Sequence, residues 1–190
     1  MRHLGTVTLD TGRLRLRRLG QADAPAVLRN WAGDPLVTRY LTWPAHADVS
    51  VTREYLAGLE QRYAEASTYE WGIELKSLGE PVGSISVVRH SEEAQSAQIG
   101  YCIGRKWWRQ GIATEAFRAV IRFLLEEVGF NRVEARHDPR NPHSGMVMKK
   151  CGLTYEGTLR QCDRNNRGLC DAAYYGLLRG EYEQRKGEGA

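Results

Sequence analysis

Residues 96–115 read SAQIGYCIGRKWWRQGIATE, from Ser96 to Glu115, and this stretch decides the fold. A strand-like run passes through a short charged and aromatic loop into a helix whose first turn contains Gly111 and Ala113. The first turn of a helix carries backbone N–H groups with no intrahelical partner, and aligned peptide dipoles place positive potential there, so an anionic phosphate docks at such a turn. Small residues at 111 and 113 let it approach, and Arg105, Lys106 and Arg109 add long-range attraction for a multiply charged ligand.

Working upstream, Ser96 to Gly104 is the last of three strand-like runs, after Tyr69 to Leu75 and Pro81 to His90, with the turn-forming Ser77-Leu-Gly-Glu between the first two. Before them, Ser50 to Tyr63 has helical spacing through Val51, Tyr55, Leu56, Leu59 and Tyr63, with a cap at Ser50. Tyr40 to Pro44 is a loop, and a helix capped by Asp23 runs to about Trp31. Arg13 to Arg18, RLRLRR, alternates leucine with arginine as a half-buried strand does. Downstream, Gly111 to Val128 is an amphipathic helix with Ala113, Ala116, Phe117, Val120 and Val128 on one face, ended by Gly129. A strand Arg132 to His137 follows, then a helix from about Pro142 to Cys151 stopped by Gly152, and closing strands near Leu153 to Arg160 and Ala172 to Leu178. This order predicts an α/β (α+β) fold, a mixed, mostly antiparallel sheet of about seven strands with helices on both faces.

Composition narrows the class. The 190 residues, 42% apolar and 26% charged, suit one soluble globular domain over 1–183, with 184–190 a polar, mobile tail. No apolar run is long enough to span a bilayer, and no secretory signal follows Met1, so a cytoplasmic protein without membrane contact is expected. Cys102, Cys151, Cys162 and Cys170 form no CxxC pair and the five histidines have no zinc spacing, so free thiols and no metal are expected. A net charge of +4 is spread along the chain without a basic block, which argues against nucleic acid and for an anionic small molecule.

Trp108-Arg-Gln-Gly111-Ile-Ala113 resembles the pyrophosphate loop of the GNAT superfamily, Q/R-x-x-G-x-G/A, with Trp108 departing at the first position. Asn141-Pro-His-Ser144, continuing through Lys150 and Gly152 to Glu156-Gly157, is similar to the signature of the ribosomal-protein N-terminal (Rim-type) acetyltransferase branch. TGRLRLRRLGQADA near the start and GLCDAAYYGLL near the end resemble that branch's first and last strands. The resemblance implies the GNAT fold, with a splay between the fourth strand (Ser96 to Gly104) and the fifth (Arg132 to His137), and acetyl-CoA as cosubstrate. It further implies cofactor contacts from Cys102, Ile103 and Gly104 in the fourth strand, which pair with the pantetheine arm as if with an added strand. Arg109, Gln110, Gly111, Ile112, Ala113 and Thr114 would hold the pyrophosphate, with Asn141 and Ser144 beside the arm.

The reaction so implied is acetyl transfer to a primary amine, of a protein N-terminus or a small molecule, by direct attack without an acyl-enzyme. Ser144 is the expected donor to the leaving thiolate, or else a helix cap; Asn141 bonds the pantetheine amide or caps the same helix. The family phrase A-E-I-G-Y reads Ala97-Gln98-Ile-Gly-Tyr101 here, and Gln98 cannot accept a proton. The base is then Glu70, Glu74, Asp138, His137 or ordered water, or else the amine binds neutral. Trp43 and Trp71, with Gln98 and His137, are placed at the acceptor pocket. The substitution at Gln98 also leaves open a catalytically silent coenzyme-A-binding or regulatory module. A monomer or a homodimer is expected.

Overall fold

The computed structural model describes residues 1–188. Eight strands form one sheet in the order β1-β2-β3-β4-β5-β6-β8-β7. They are β1 (Leu9–Asp10), β2 (Leu14–Arg17), β3 (Glu70–Leu75), β4 (Glu80–Ser91), β5 (Ser96–Ile103), β6 (Arg132–His137), β7 (Thr154–Asn165) and β8 (Gly168–Leu178). The strand beyond the expected seven is β1, two residues paired with Leu16 and Arg15 of β2 and too short to leave a periodic signal. Every neighbouring pair is antiparallel except β5 and β6.

Alternation decides which side of each strand is buried. Leu14 and Leu16 of β2 and Tyr69, Trp71 and Ile73 around β3 face the helix α4 (Ile112–Arg122), whose Ile112, Ala116, Phe117 and Val120 complete the main core. Past Arg122 the helix widens over Phe123–Val128 and stops at Gly129, whose φ of 97° is left-handed. Helix α5 (Pro142–Lys150) lies on the same side through Met148. The opposite face is covered by α1 (Ala24–Val27) with its extension Leu28–Ala32, and by α3 (Val49–Arg62), through Leu19, Val27, Trp31, Leu56, Leu59 and Cys102. Between them lies α2 (Pro35–Thr38), capped by the Asp34 carboxylate. Among the described residues no helix is long and apolar enough to cross a membrane.

Two caps differ from expectation. Asp48 caps α3, its carboxylate accepting from the amides of Ser50 (2.7 Å) and Val51 (3.2 Å), so the helix starts one residue earlier. Asp23 precedes α1 without a side-chain cap on it; its carboxylate takes the Arg17 guanidinium (2.8 Å) and, as the capping-box acceptor of the turn Gln21–Asp23, the Gly20 amide (3.0 Å), tying β2 to the helical layer. The polar segment from 184, expected as a tail, continues helix α6 (Arg179–Glu188), where Lys186 pairs with Glu126 at 2.7 Å. The β7–β8 hairpin is longer than expected because β7 is an edge strand exposed along nearly its whole length, so no buried period marks its extent.

The site is made by one interruption. The β5–β6 ladder runs from Ser96↔Arg132 to Ile99↔Ala135 and stops, although β5 continues to Ile103 against β4 and β6 to His137 against β8. The two strands separate at that point. Gly104 donates its amide to the Val82 carbonyl (2.8 Å) in the register Gly83↔Ile103, and antiparallel bonding alternates. Gly104, Cys102 and Gly100 therefore turn their backbone groups to β4, while Ile99, Tyr101 and Ile103 turn theirs toward β6, the last two across the gap. Gly104 admits no side chain, since a Cβ there would lie 2.1 Å from the Asn30 carbonyl oxygen, where the α1 extension crosses the end of β5.

Beyond β6, Asp138 is 8% exposed and accepts from the Arg140 amide (2.9 Å), the Arg140 guanidinium (2.6 Å) and Asn165 Nδ2 (2.8 Å). Asn166 at the hairpin tip donates its backbone amide to the Leu41 carbonyl (3.1 Å), and its side chain to the carbonyls of Thr38 (2.8 Å) and Trp43 (2.7 Å). The tip thus spans from the far edge of the sheet to the loop after α2. Burial alone would raise the Asp138 carboxyl, yet the bonds from Arg140 and Asn165 outweigh it and hold the group at about 2. A carboxyl depressed by folding stabilises above its unfolded value of 3.8, and that contribution is lost as the pH falls toward 2. Asp138→Ala is expected to lower the free energy of unfolding at neutral pH by about 3 kcal/mol. In urea titrations the variant should also lose less stability than the parent between about pH 4 and about pH 2.

Candidate active site

At the start of α4 the backbone is bent for anion binding. Gly111 has φ of 77° and Arg109, a non-glycine, has φ of 61°, so left-handed residues alternate with ordinary ones and aim successive amides inward. Among the described residues the amides of Arg109, Gln110, Gly111, Ile112, Ala113 and Thr114 have no hydrogen-bond acceptor. Ile112 is buried and Ala113 packs on the core, which fixes the turn from below. Gln110 closes the loop on itself by donating to the Lys106 carbonyl (2.9 Å).

The cradle is held from outside by Arg13, which was read from sequence as one arginine of an alternating strand. Its guanidinium donates to the Gln110 carbonyl (3.0 Å) and to Glu115 Oε2 (2.7 Å), while Glu115 Oε1 accepts from the Thr11 hydroxyl (2.6 Å) and the Arg13 amide (2.9 Å). Burial opposes the charge on Glu115, and these bonds outweigh it and hold the carboxyl below its usual range. The sequence signal for this clamp is a glutamate in the first helical turn, which an N-terminus favours anyway. An open groove of about 930 Å³ continues from Gly111 past Thr114, Arg118, Arg122 and Lys150 and carries positive charge.

Below the cradle lies the gap between β5 and β6, bordered by Tyr101, Ile103 and α5. Tyr101 donates its hydroxyl to the Ser144 carbonyl (2.8 Å), and its oxygen lies 3.0 Å from Ser144 Oγ, so the serine hydroxyl donates to tyrosine. Ser144 is therefore no cap, and Tyr101, which carries no local sequence signal of a role, borders the gap beside it. Burial pushes the Tyr101 phenol up and keeps it protonated. Asn141 precedes α5, makes no side-chain cap, and donates its amide to the Asp138 carbonyl (2.7 Å). Of the expected strand trio, only Ile103 faces the gap. Cys102 and Gly104 bond to β4, and the Cys102 thiol lies in the opposite core, 3.4 Å from Ser84 Oγ, its pKa pushed up by burial.

The acceptor-side expectations fare unevenly. Trp71 is 0% exposed, stacks with Tyr69 and donates to the Val7 carbonyl (2.6 Å); it is core and walls no pocket. Trp43 stays partly exposed beside His46, ring centroids 5.4 Å apart, in the loop that Asn166 grips. Gln98, 6% exposed, lies in the closed part of the ladder with its amide 3.4 Å from Glu134, away from the gap. His137 donates Nδ1–H to the Asp138 carbonyl (2.8 Å), while its Nε2 is buried and unpartnered against Gly145, where a Cβ would come within 2.4 Å. Burial lowers its pKa. Glu74 is tied to Arg17 at 2.6 Å, and Asp138 at about 2 is no base near neutral pH. Glu70 remains: it accepts from the Tyr55 hydroxyl and from Arg62 (3.4 Å), on the face that Ser84 and Cys102 share. The four cysteines are free thiols, and among the described residues no group of three or more His, Cys, Asp or Glu is disposed to hold a metal ion.

A sheet parted between parallel strands leaves a free backbone edge, and the unpaired amides at the helix start above it suit an anion. The family described as acetyltransferase (GNAT) domain matches residues 13–154. An uncharacterized N-acetyltransferase of Bacillus licheniformis, p20, is 31% identical over 92% of this chain and 98% of its own. The ribosomal protein uS5-alanine N-acetyltransferase of Escherichia coli K12 is 27% identical over 80% of each. Among solved structures, a GNAT-family acetyltransferase from Bacillus anthracis has TM-score 0.80 at 24% identity, covering 92% of this chain and 100% of that one. A ribosomal L7/L12 alpha-N-protein acetyltransferase solved with coenzyme A has the same TM-score at 19% identity, covering 90% and 98%, which speaks to the fold alone. The chain belongs to the GNAT acetyltransferase family. Gly111→Asp is expected to weaken coenzyme A binding in calorimetry by about 100-fold or more, since it adds left-handed strain and places a carboxylate among the free amides.

Proposed function

We propose that this protein transfers an acetyl group from acetyl-CoA to a primary amine, of a protein N-terminus or a small molecule, by direct attack within a ternary complex. The observation that carries this reading is the alignment of the free-amide cradle with the β5–β6 gap, both reached along one path from Ile103 to Thr114. Acetyl-CoA supplies an activated thioester. The amides of Arg109 to Thr114 grip its pyrophosphate, with Arg109 and the groove cations adding attraction. Ile103 and then Tyr101 offer backbone groups to the arm as an adjacent strand does, and Asn141 lies beside it. The Tyr101 amide, deeper in the gap, is aimed where negative charge develops on the thioester oxygen.

The Ser144 hydroxyl rotates from the Tyr101 oxygen to donate to the leaving sulfur, while Tyr101 keeps its own donation to the Ser144 carbonyl and holds the serine in place. Direct attack fits the position of Cys102, whose thiol lies among the helices of the other face with its pKa raised, unsuited to form an acyl-enzyme. The amine approaches from the face bearing Glu70 and Tyr55, with Trp43 and His46 at its edge, and Glu70 takes the proton through water.

Release of free thiol from acetyl-CoA in the presence of an amine panel tests the reading; a silent binding module is stabilised by acetyl-CoA and releases none. Ser144→Ala is expected to lower kcat about 100-fold with acetyl-CoA affinity nearly unchanged, and equal losses of both would make the serine a binding residue. For Glu70→Gln, kcat/KM near neutral pH should fall about 100-fold. That deficit should narrow as the pH rises toward the pKa of the amine, where the unprotonated nucleophile no longer needs a base; a deficit constant with pH would remove Glu70 from the proton path.

A further inference from the structure

The two adjacent tryptophans of the loop behave differently. Trp107 is buried against Gly104 with Lys106 over its ring, and it anchors the short turn Arg105–Trp107. Trp108 is 46% exposed; its backbone amide closes the turn on the Arg105 carbonyl (3.2 Å), and among the described residues its side chain makes one polar bond, from the indole Nε1–H to the Ile103 carbonyl at 2.7 Å. That carbonyl is turned toward the gap, because Ile103 sits at a position of β5 that does not bond to β4. It is also the outermost acceptor of the free strand edge, next to the cradle. An amide-bearing chain laid along β5 as an added strand needs this acceptor.

We infer that Trp108 is a latch on the cofactor groove. Its indole occupies the strand carbonyl at the mouth of the gap, swings away when the pantetheine arm of acetyl-CoA takes that carbonyl, and returns when coenzyme A leaves. This rests on the reading that the arm pairs with β5. The exchange swaps one neutral hydrogen bond for another, so the latch subtracts from cofactor affinity and speeds product departure while leaving the chemical step alone. Trp108 is half exposed and packs in neither core cluster, so it is free to move without disturbing the fold. The indole N–H gives this position a donor with a fixed direction.

Trp108→Phe keeps the ring and removes the donor. Its affinity for acetyl-CoA in calorimetry should tighten about threefold to tenfold, and its dissociation of coenzyme A in stopped flow should slow correspondingly. The change in tryptophan fluorescence that acetyl-CoA produces in the parent should be largely lost in the variant, with the thermal midpoint unchanged. Unaltered or weaker affinity in Trp108→Phe, while the parent binds acetyl-CoA and Gly111→Asp does not, overturns the latch and leaves the function standing. A parent protein that does not bind acetyl-CoA overturns both.

Discussion

Everything functional here depends on a hydrogen-bond ladder that stops. Two parallel strands that paired along their whole length would satisfy every amide and carbonyl between them, and the sheet would be closed. Here the pairing ends at Ile99↔Ala135, while on their other sides β5 stays with β4 as far as Ile103 and β6 with β8 as far as His137. Twist then separates the two, leaving Tyr101 and Ile103 with backbone groups directed into a gap. The helices α4 and α5 border that gap on one face, so a ligand there meets backbone from the strand and side chains from α5.

The rest of the site is built to hold this opening in shape. Gly104 lets the α1 extension pass within contact of the end of β5, which a Cβ would forbid. Arg13 and Glu115 fasten the cradle to the first hairpin. On the far side, Asp138, Arg140 and Asn165 lock the turn after β6, and Asn166 ties the β7–β8 tip to the loop after α2. Of these, the Arg13–Glu115 and Asn166 bonds join segments more than a hundred residues apart in sequence. They convert mobile loops into fixed borders, which catalysis by positioning requires.

That division explains what was legible in the sequence. Local patterns reported themselves: the leucine alternation of β2, the stripe of α4, and Gly111, Gly129 and Gly152 at helix ends all fall where the chain has them. The cradle and the Asn141–Ser144 turn were legible for the same reason, since short motifs sit within one strand-to-helix connection. Long-range partners were not. Nothing local distinguishes Trp71, which is sealed in the core, from Trp43, which borders a loop, nor Asp138, which saturates its bonds within a network, from Glu70, which is left facing Tyr55. The burial of a polar side chain depends on which elements meet over it, and β7, exposed along its length, carried no period from which even its extent could be read.

The cradle at Arg109 to Thr114 presents peptide nitrogens, which on the proposed reading do the gripping. Its geometry is therefore encoded in torsion angles, the left-handed turns at Arg109 and Gly111. A motif so constituted can change its lettering while the backbone cradle persists.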